Sequence, residues 1–321
     1  MAQRVQIVVP GDDPRQIAAS PQLERLQPYG DVTIYDTRPS GFDEQVERAA
    51  TADIIINSRG AVNWHKKELE ALSELRMITT CSIGTDMIDL AVAKERGVVV
   101  SNQPGRTAGV VAEHMFGLMF GLAKQAGFQT AEMKAGRWTR RMYTMLQGKT
   151  MGVVGTGNIG AEMARLARAV GMDVIAWTFN PTPERAQSLG VRYVELDELL
   201  GAADVVSLHV QLTPDTRHLI GARQLGLMKE GALLLNGARG DVVDLDALAA
   251  ALQSGQLGGA ALDVFPQEPF GSGHPILDCE QVVFTPHAAD QTPEGVELLN
   301  EGAVDNVIAF LQGQPQHNVA V

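Results

Sequence analysis

Cysteine is scarce: Cys81 and Cys279 are the two in 321 residues. They are too few and too far apart for a disulfide framework or a thiolate metal site, so reduced thiols are expected. His65, His218, His274 and His317 show no ligand spacing, and no metal is expected. Positive charge is also short, with 26 Lys and Arg against 38 Asp and Glu and a net charge of −12. That balance repels phosphate backbones and anionic lipid heads, which argues against nucleic-acid and membrane-surface partners. Long apolar runs are missing as well. The best candidate, 109–123, is about 15 residues long and carries Glu113 and His114, too short and too polar to span a bilayer. The first ten residues, ending Val8-Val9-Pro10, lack the cationic end and cleavage site of a secretory signal and read as a β-strand. A cytoplasmic location is the expectation. Repeats, low-complexity tracts and charge blocks are absent too.

Glycine, by contrast, is plentiful at 33 residues, and 45% of the chain is apolar, which suits an α/β protein with many tight turns. Short apolar runs at 5–9, 32–35, 54–56, 77–80 and 98–100 alternate with amphipathic stretches such as 64–72. The rhythm returns with runs at 150–154, 173–177, 205–208, 232–235, 259–264 and 282–284, separated by helices such as 161–170 and 245–254. Strand-helix alternation of this kind builds parallel sheets. Two α/β units in series follow, with boundaries near the turn cluster Ser101-Asn-Gln-Pro-Gly105 and near 286–292. The last helix, 293–311, is too short for a domain and is expected to pack back on the first unit. The expected division is 1–103 with 290–321 as one unit, and 104–289 as the other.

Gly155-Thr-Gly157-Asn-Ile-Gly160 follows the strand 151–154 and opens a helix, the context that makes a glycine pattern specific for a dinucleotide. Gly155 permits the tight turn, Gly157 lets the backbone approach a pyrophosphate, and Gly160 allows close packing of helix on strand. Lys149-Thr150 imitates the end of a nucleoside-triphosphate loop, but the glycine required upstream falls at Tyr143. The ribose-reading acid should close the next strand, and Thr178 stands there instead. NAD is the expected cofactor, with NADP left open. Arg185 can meet a 2′-phosphate or simply be solvated.

Three polar residues follow three apolar runs: Arg239, Glu268 and His287. In a doubly wound sheet ligands bind beyond the carboxyl ends of the strands, so these side chains can converge on the crevice that the glycine turn faces. A cationic fork, a group titrating near neutrality and an acid beside it suit hydride transfer to a 2-keto acid.

In Cys81-Ser-Ile-Gly-Thr-Asp-Met-Ile-Asp-Leu90, Val111-Ala-Glu-His114, Gly152–Gly160, Ser207-Leu-His209, Asn236-Gly-Ala-Arg-Gly240, Ala261-Leu-Asp-Val-Phe-Pro-Gln-Glu-Pro269 and Thr285-Pro-His287 the chain resembles the D-isomer-specific 2-hydroxyacid dehydrogenases over nearly its whole length. The resemblance implies that Arg239, Glu268 and His287 are catalytic and that the loop at Ile83 and Gly84 holds the substrate carboxylate through backbone N–H groups. Arg59, after a first-unit strand, is a further candidate for the substrate. On the cofactor side stand Gly155, Thr156, Gly157, Asn158, Ile159, Gly160, Thr178, His209, Ala238, Asp263 and His287. The resemblance implies that 1–103 with 290–321 is a flavodoxin-like substrate-binding domain and 104–289 a dinucleotide-binding Rossmann domain. It implies a homodimer, with residues 125–146 as its arm; Arg137, Arg140 and Arg141 lie on that arm and are candidates to reach the partner's site or to stay solvated. Glu113 and His114 suit a buried polar contact better than catalysis. Thr178, Gln211 and Ala289 depart from the family's usual Asp, Pro and Gly. The expected activity is NAD(P)-dependent, reversible conversion of 2-keto and D-2-hydroxy acids, close to a glyoxylate or hydroxypyruvate reductase. A dinucleotide-sensing, corepressor-like protein and a phosphite dehydrogenase are the alternatives.

Overall fold

The computed structural model describes residues 4–321, in two compact units: the chain up to Thr107 together with Gln291–Val321, and Ala108–Asp290. In the first unit β1 (Val5–Val9), β2 (Gly30–Ile34), β3 (Ile54–Asn57), β4 (Met77–Thr80) and β5 (Val99–Ser101) form a parallel sheet in the order β2-β1-β3-β4-β5. That order is flavodoxin-like, with its switch between β1 and β3. Strands β3 and β4 are buried throughout, as unbroken apolar strands covered on both faces must be. Edge strand β2 begins two residues before the apolar run because Gly30 lies against β1, where a Cβ would stand 2.4 Å from the Val5 carbonyl oxygen. Helix Pro293–Leu311 starts at a Thr292 cap, whose Oγ1 accepts the Gly295 N–H at 2.9 Å. It buries Leu299, Ala303, Val304 and Val307 against Ile7, Val9, Ile54, Ile56 and Met77.

In the second unit β6 (Thr150–Val154), β7 (Asp173–Trp177), β8 (Arg192–Tyr193), β9 (Val205–Leu208), β10 (Ala232–Asn236), β11 (Leu257–Leu262) and β12 (Val282–Phe284) form a seven-stranded parallel sheet, ordered β12-β11-β10-β9-β6-β7-β8. Counted from β6, this is the Rossmann order with one more strand, and its switch lies between β6 and β9. Both sheets are therefore doubly wound, as the strand-helix alternation predicts. Helix Ala108–Ala123 is apolar apart from the exposed Glu113 and the half-buried His114, and it buries Met115 and Met119 against Met163 of helix Asn158–Ala169 and Leu235 of β10. Strand β11 ends at Leu262, two residues earlier than its apolar run suggests, because Asp263 and Val264 have left the ladder to shape the loop beyond it. It starts earlier too, at Leu257. Gly258 and Gly259 extend it, since a Cβ on either would stand 2.4 Å from Gly231 O or 2.7 Å from Gln281 O. Among the described residues no helix is long and apolar enough to cross a membrane.

Candidate active site

The glycine turn leaves β6 at the switch point. Gly155 has φ of 91°, and a Cβ there would lie 2.7 Å from the His209 carbonyl oxygen, so the turn admits only glycine. At Gly160 a Cβ would lie 2.0 Å from the Gly155 carbonyl oxygen, which seats helix Asn158–Ala169 directly on the turn. Gly157 differs: its φ is an ordinary −63°, and no atom lies within 4 Å of the Cβ it lacks. Neither conformation nor packing asks for glycine there. A pyrophosphate pressed against the backbone does, and Gly157, the helix N-cap, provides no side-chain oxygen to occupy the first N–H groups. Thr156, Asn158 and Ile159 complete the turn, and the residues present fit a dinucleotide. Thr178 follows β7, and the Trp177 carbonyl accepts the Gly155 N–H at 2.8 Å. His209 follows β9, with Nε2 2.8 Å from Ser207 Oγ. Its Nδ1 is buried without a protein partner, and burial lowers the ring's pKa to about 4, so the imidazole is neutral.

Arg239, Glu268 and His287 all belong to the second unit, where they leave the carboxyl ends of β10, β11 and β12. After β10 the buried Asn236 shapes the loop: its Oδ1 accepts the Ala238 N–H at 3.1 Å and its Nδ2 donates to the Arg239 carbonyl at 3.0 Å. Arg239 Nη1 donates to the Ala238 carbonyl at 2.7 Å. At Gly240 a Cβ would fall 1.9 Å from the Phe265 carbonyl carbon, so only glycine lets the Arg239 and Glu268 loops meet. Glu268 reaches back to accept the Phe265 N–H at 2.9 Å, and its other oxygen lies 2.6 Å from His287 Nδ1. His287 has φ of 51°, a left-handed conformation that the surrounding bonds impose. Its N–H donates to the Asp263 carbonyl at 2.8 Å. The buried Asp263 carboxylate accepts from Thr285 Oγ1 at 2.6 Å and from the Ala288 and Ala289 N–H groups at 2.9 and 3.1 Å. Asp263, expected beside the cofactor, thus anchors the His287 loop. His114 Nε2, 3.0 Å from Thr285 Oγ1, supports it from the helix behind, the polar contact expected of that residue.

The electrostatics follow from this arrangement. The hydrogen bond to Glu268 raises the His287 pKa above its ordinary value, against burial and the Arg239 charge, which both lower it. Burial pushes the Glu268 carboxyl upward, but the bonds from His287 and the Phe265 N–H outweigh it and hold the group below its ordinary value. With Nδ1 committed to Glu268, Nε2 is the His287 nitrogen left to meet a reacting oxygen.

In the first unit Arg59 and the Ile83-Gly84 loop follow the adjacent strands β3 and β4, whose last residues, Asn57 and Thr80, are paired. Thr80 Oγ1 and the Gln103 N–H hold the Ser82 carbonyl at 2.9 and 3.1 Å, and Asn102 Nδ2 holds the Ile83 carbonyl at 2.8 Å. In a trans peptide N–H points opposite to C=O, so the Ile83 and Gly84 N–H groups face away from the side on which Thr80, Asn102 and Gln103 hold these carbonyls. Arg59 has φ of 48°. Sequence reasoning missed Asn236, Tyr193, whose hydroxyl lies 2.8 Å from Thr156 Oγ1, and Asp12. The buried Asp12 carboxylate collects the N–H groups of Gln16, Ile17 and Ala18 and the Ser58 hydroxyl. An Asn just after a buried run is a usable signal for a self-bonded turn; Asp12 and Tyr193 carry none.

A Rossmann sheet with an open glycine turn and an Arg, Glu and His at its strand ends defines a nicotinamide-nucleotide oxidoreductase. Residues 116–289 match the model of the D-isomer specific 2-hydroxyacid dehydrogenase, NAD binding domain. The chain is 39% identical over 304 residues to a glyoxylate reductase of Korarchaeum cryptofilum, covering 92% of this chain and 91% of that one. It is 36% identical over 280 residues to D-3-phosphoglycerate dehydrogenase of Methanocaldococcus jannaschii, 86% of this chain but 53% of that protein, so it spans about half that relative's length. A glyoxylate reductase structure from Paecilomyes thermophila superposes with a TM-score of 0.89 at 29% identity, covering 99% of both chains. The chain belongs to the D-isomer specific 2-hydroxyacid dehydrogenase family.

Proposed function

We propose that the protein reduces small 2-keto acids to D-2-hydroxy acids, and reverses the reaction, with a nicotinamide dinucleotide held on the Gly155–Gly160 turn. The observation that carries this reading is the 2.6 Å contact between His287 Nδ1 and Glu268, beside Arg239, on the sheet that bears the turn. The Arg239 guanidinium is the second unit's proposed partner of the substrate carboxylate, and the Ile83 and Gly84 N–H groups and Arg59 are the first unit's proposed substrate contacts. The nicotinamide, when bound, exchanges hydride with the substrate carbon. Protonated His287 gives its Nε2 proton to the carbonyl oxygen, while Glu268 keeps Nδ1 protonated and the ring oriented. In oxidation neutral His287 takes that proton from the hydroxyl. Thr178, His209 and Ala238 border the cofactor in this reading, with Asp263 behind them as the anchor of the His287 loop.

A homodimer belongs to the same proposal. On the arm 125–146, Trp138 and Met142 are 73% and 91% exposed and Tyr143 and Met145 are exposed as well, apolar surface that a second copy would cover. Arg140 and Arg141 come from that arm. Location in the cytoplasm is supported by Cys81 and Cys279, both buried free thiols. The test follows oxidation of NADH and NADPH with a panel of 2-keto acids, glyoxylate and hydroxypyruvate included. Turnover of at least one is expected; intact dinucleotide binding with no turnover across the panel would overturn the enzymatic reading.

A further inference from the structure

The carboxyl end of β7, where the adenosine ribose of a dinucleotide on this turn must lie, is built without a carboxylate. Asp173 sits at the other end of the strand, about 13 Å away at the usual rise per residue. Thr178 presents a hydroxyl at the strand end. From the next helix Arg185 folds back, and one terminal nitrogen donates to the carbonyl oxygen of Thr156, the second residue of the glycine turn. The Thr182 side chain fixes the approach by accepting the Arg185 N–H at 3.2 Å. A guanidinium has five N–H donors in a fixed fork, so a bond to Thr156 leaves donors for a doubly charged oxyanion. Arg185 is exposed, and a surface arginine tied to a ligand-binding turn is held beside the path of the ribose instead of ranging through solvent. Phe179, next to Thr178, is 55% exposed with its ring edge-on to Trp177 at 4.8 Å, an apolar face for the adenine.

We propose that Thr178 and Arg185 form a 2′-phosphate subsite, so that the protein selects NADPH over NADH. The inference rests on the reading of the glycine turn as a dinucleotide site but not on which substrate is reduced. A carboxylate at position 178 would accept the two ribose hydroxyls of NADH and repel a phosphate. A hydroxyl and a guanidinium reverse both preferences.

The test is equilibrium binding by calorimetry, with NADPH and NADH and with the half-ligands adenosine 2′,5′-bisphosphate and 5′-AMP. The native chain is expected to bind each 2′-phosphorylated ligand at least about 10-fold more tightly than its counterpart, the worth of one charge-assisted bond. Arg185→Ala should remove most of that ratio by weakening the 2′-phosphorylated ligands. Thr178→Asp should invert the ratio, and its binding of NADH shows that the variant is folded. Equal or tighter binding of NADH by the native chain, or a ratio that survives both substitutions, overturns the proposal. A 2′-phosphate preference in a protein inert toward every keto acid would overturn the enzymatic reading alone; turnover that prefers NADH would overturn this subsite alone.

Discussion

The two units differ in what they bury. Among the described residues the first unit buries fifteen polar or charged side chains and the larger second unit five: Thr156, Ser207, Thr216, Asn236 and Asp263. In the second unit most of these few stand at strand ends, where they shape the glycine turn, the Arg239 loop or the His287 loop. In the first unit they knit irregular backbone together: Asp12 gathers three amides, Arg48 donates to the carbonyls of Pro10 and Thr37, and Asn306 bridges Thr79 and Asn102. Buried polar groups need partners wherever they occur. One unit uses them to shape the loops that carry the proposed site residues and the other to hold loops that regular structure does not. Substitutions in the two units should therefore fail in different ways.

The largest effect is expected at His287. His287→Ala removes the proposed proton donor and should lower kcat by at least about 100-fold, the usual range for a general acid. A dinucleotide should still bind, because the glycine turn does not depend on the ring, with affinity lowered only by the loss of the ring's own contact to the cofactor. Steady-state rates together with a binding titration check both parts, and a kcat within a few-fold of native would undo the assignment.

Glu268→Gln should act on pH dependence more than on binding. The bond to Glu268 is the largest cause of the raised His287 pKa, so the ring holds its proton to a higher pH than an ordinary imidazole. Reduction, which consumes that proton, is sustained up to the raised value and falls above it; oxidation, which needs the neutral ring, rises through the same value. With the amide in place both limbs should move to lower pH, because the ring loses the partner that holds its proton. Profiles of kcat/KM in both directions measure the shift, and a limb that does not move excludes Glu268 from this role.

How much was legible follows the same division. The glycine turn and the three strand-end residues could be read because each needs a fixed place relative to an apolar run, and the run marks the strand. Strand β8 could not be read: two residues, Arg192 and Tyr193, are too short to show a period. Asp12 was equally silent, since a carboxylate that collects amides from a loop five residues on leaves no spacing rule behind. The Ile83-Gly84 loop was placed by resemblance alone, because its character comes from carbonyls tied to Asn102 and Gln103, about twenty residues on, as well as to nearby Thr80.

Asp12→Asn sharpens the comparison from the first unit. An amide can serve only part of the donor set that Asp12 accepts from, and the buried Ser58 hydroxyl and Ala18 N–H would lose a charged acceptor. A loss of about 1–3 kcal/mol in the unfolding free energy is expected, the usual cost of leaving such a group short of a partner. The pH limb governed by His287 should stay in place. Denaturant melts and the same kcat/KM profile separate the two readouts; a shifted limb would mean that Asp12 acts on the chemistry.

His114→Gln should produce the smallest effect. His114 lies in the second unit, on helix Ala108–Ala123, and touches the His287 loop through Thr285, whose hydroxyl is held at 2.6 Å by Asp263. With that carboxylate and the Ala288 and Ala289 N–H groups still bonded, the loop keeps its main restraints. Glutamine can return one hydrogen bond to Thr285, so kcat should fall only a few-fold, in line with one net neutral bond of about 1 kcal/mol. If His114 relayed protons, the same substitution would also move or flatten the pH profile. A few-fold drop with the limb unmoved assigns His114 to support of the loop, and it would show that proximity to the active histidine in this unit does not by itself confer a part in proton transfer.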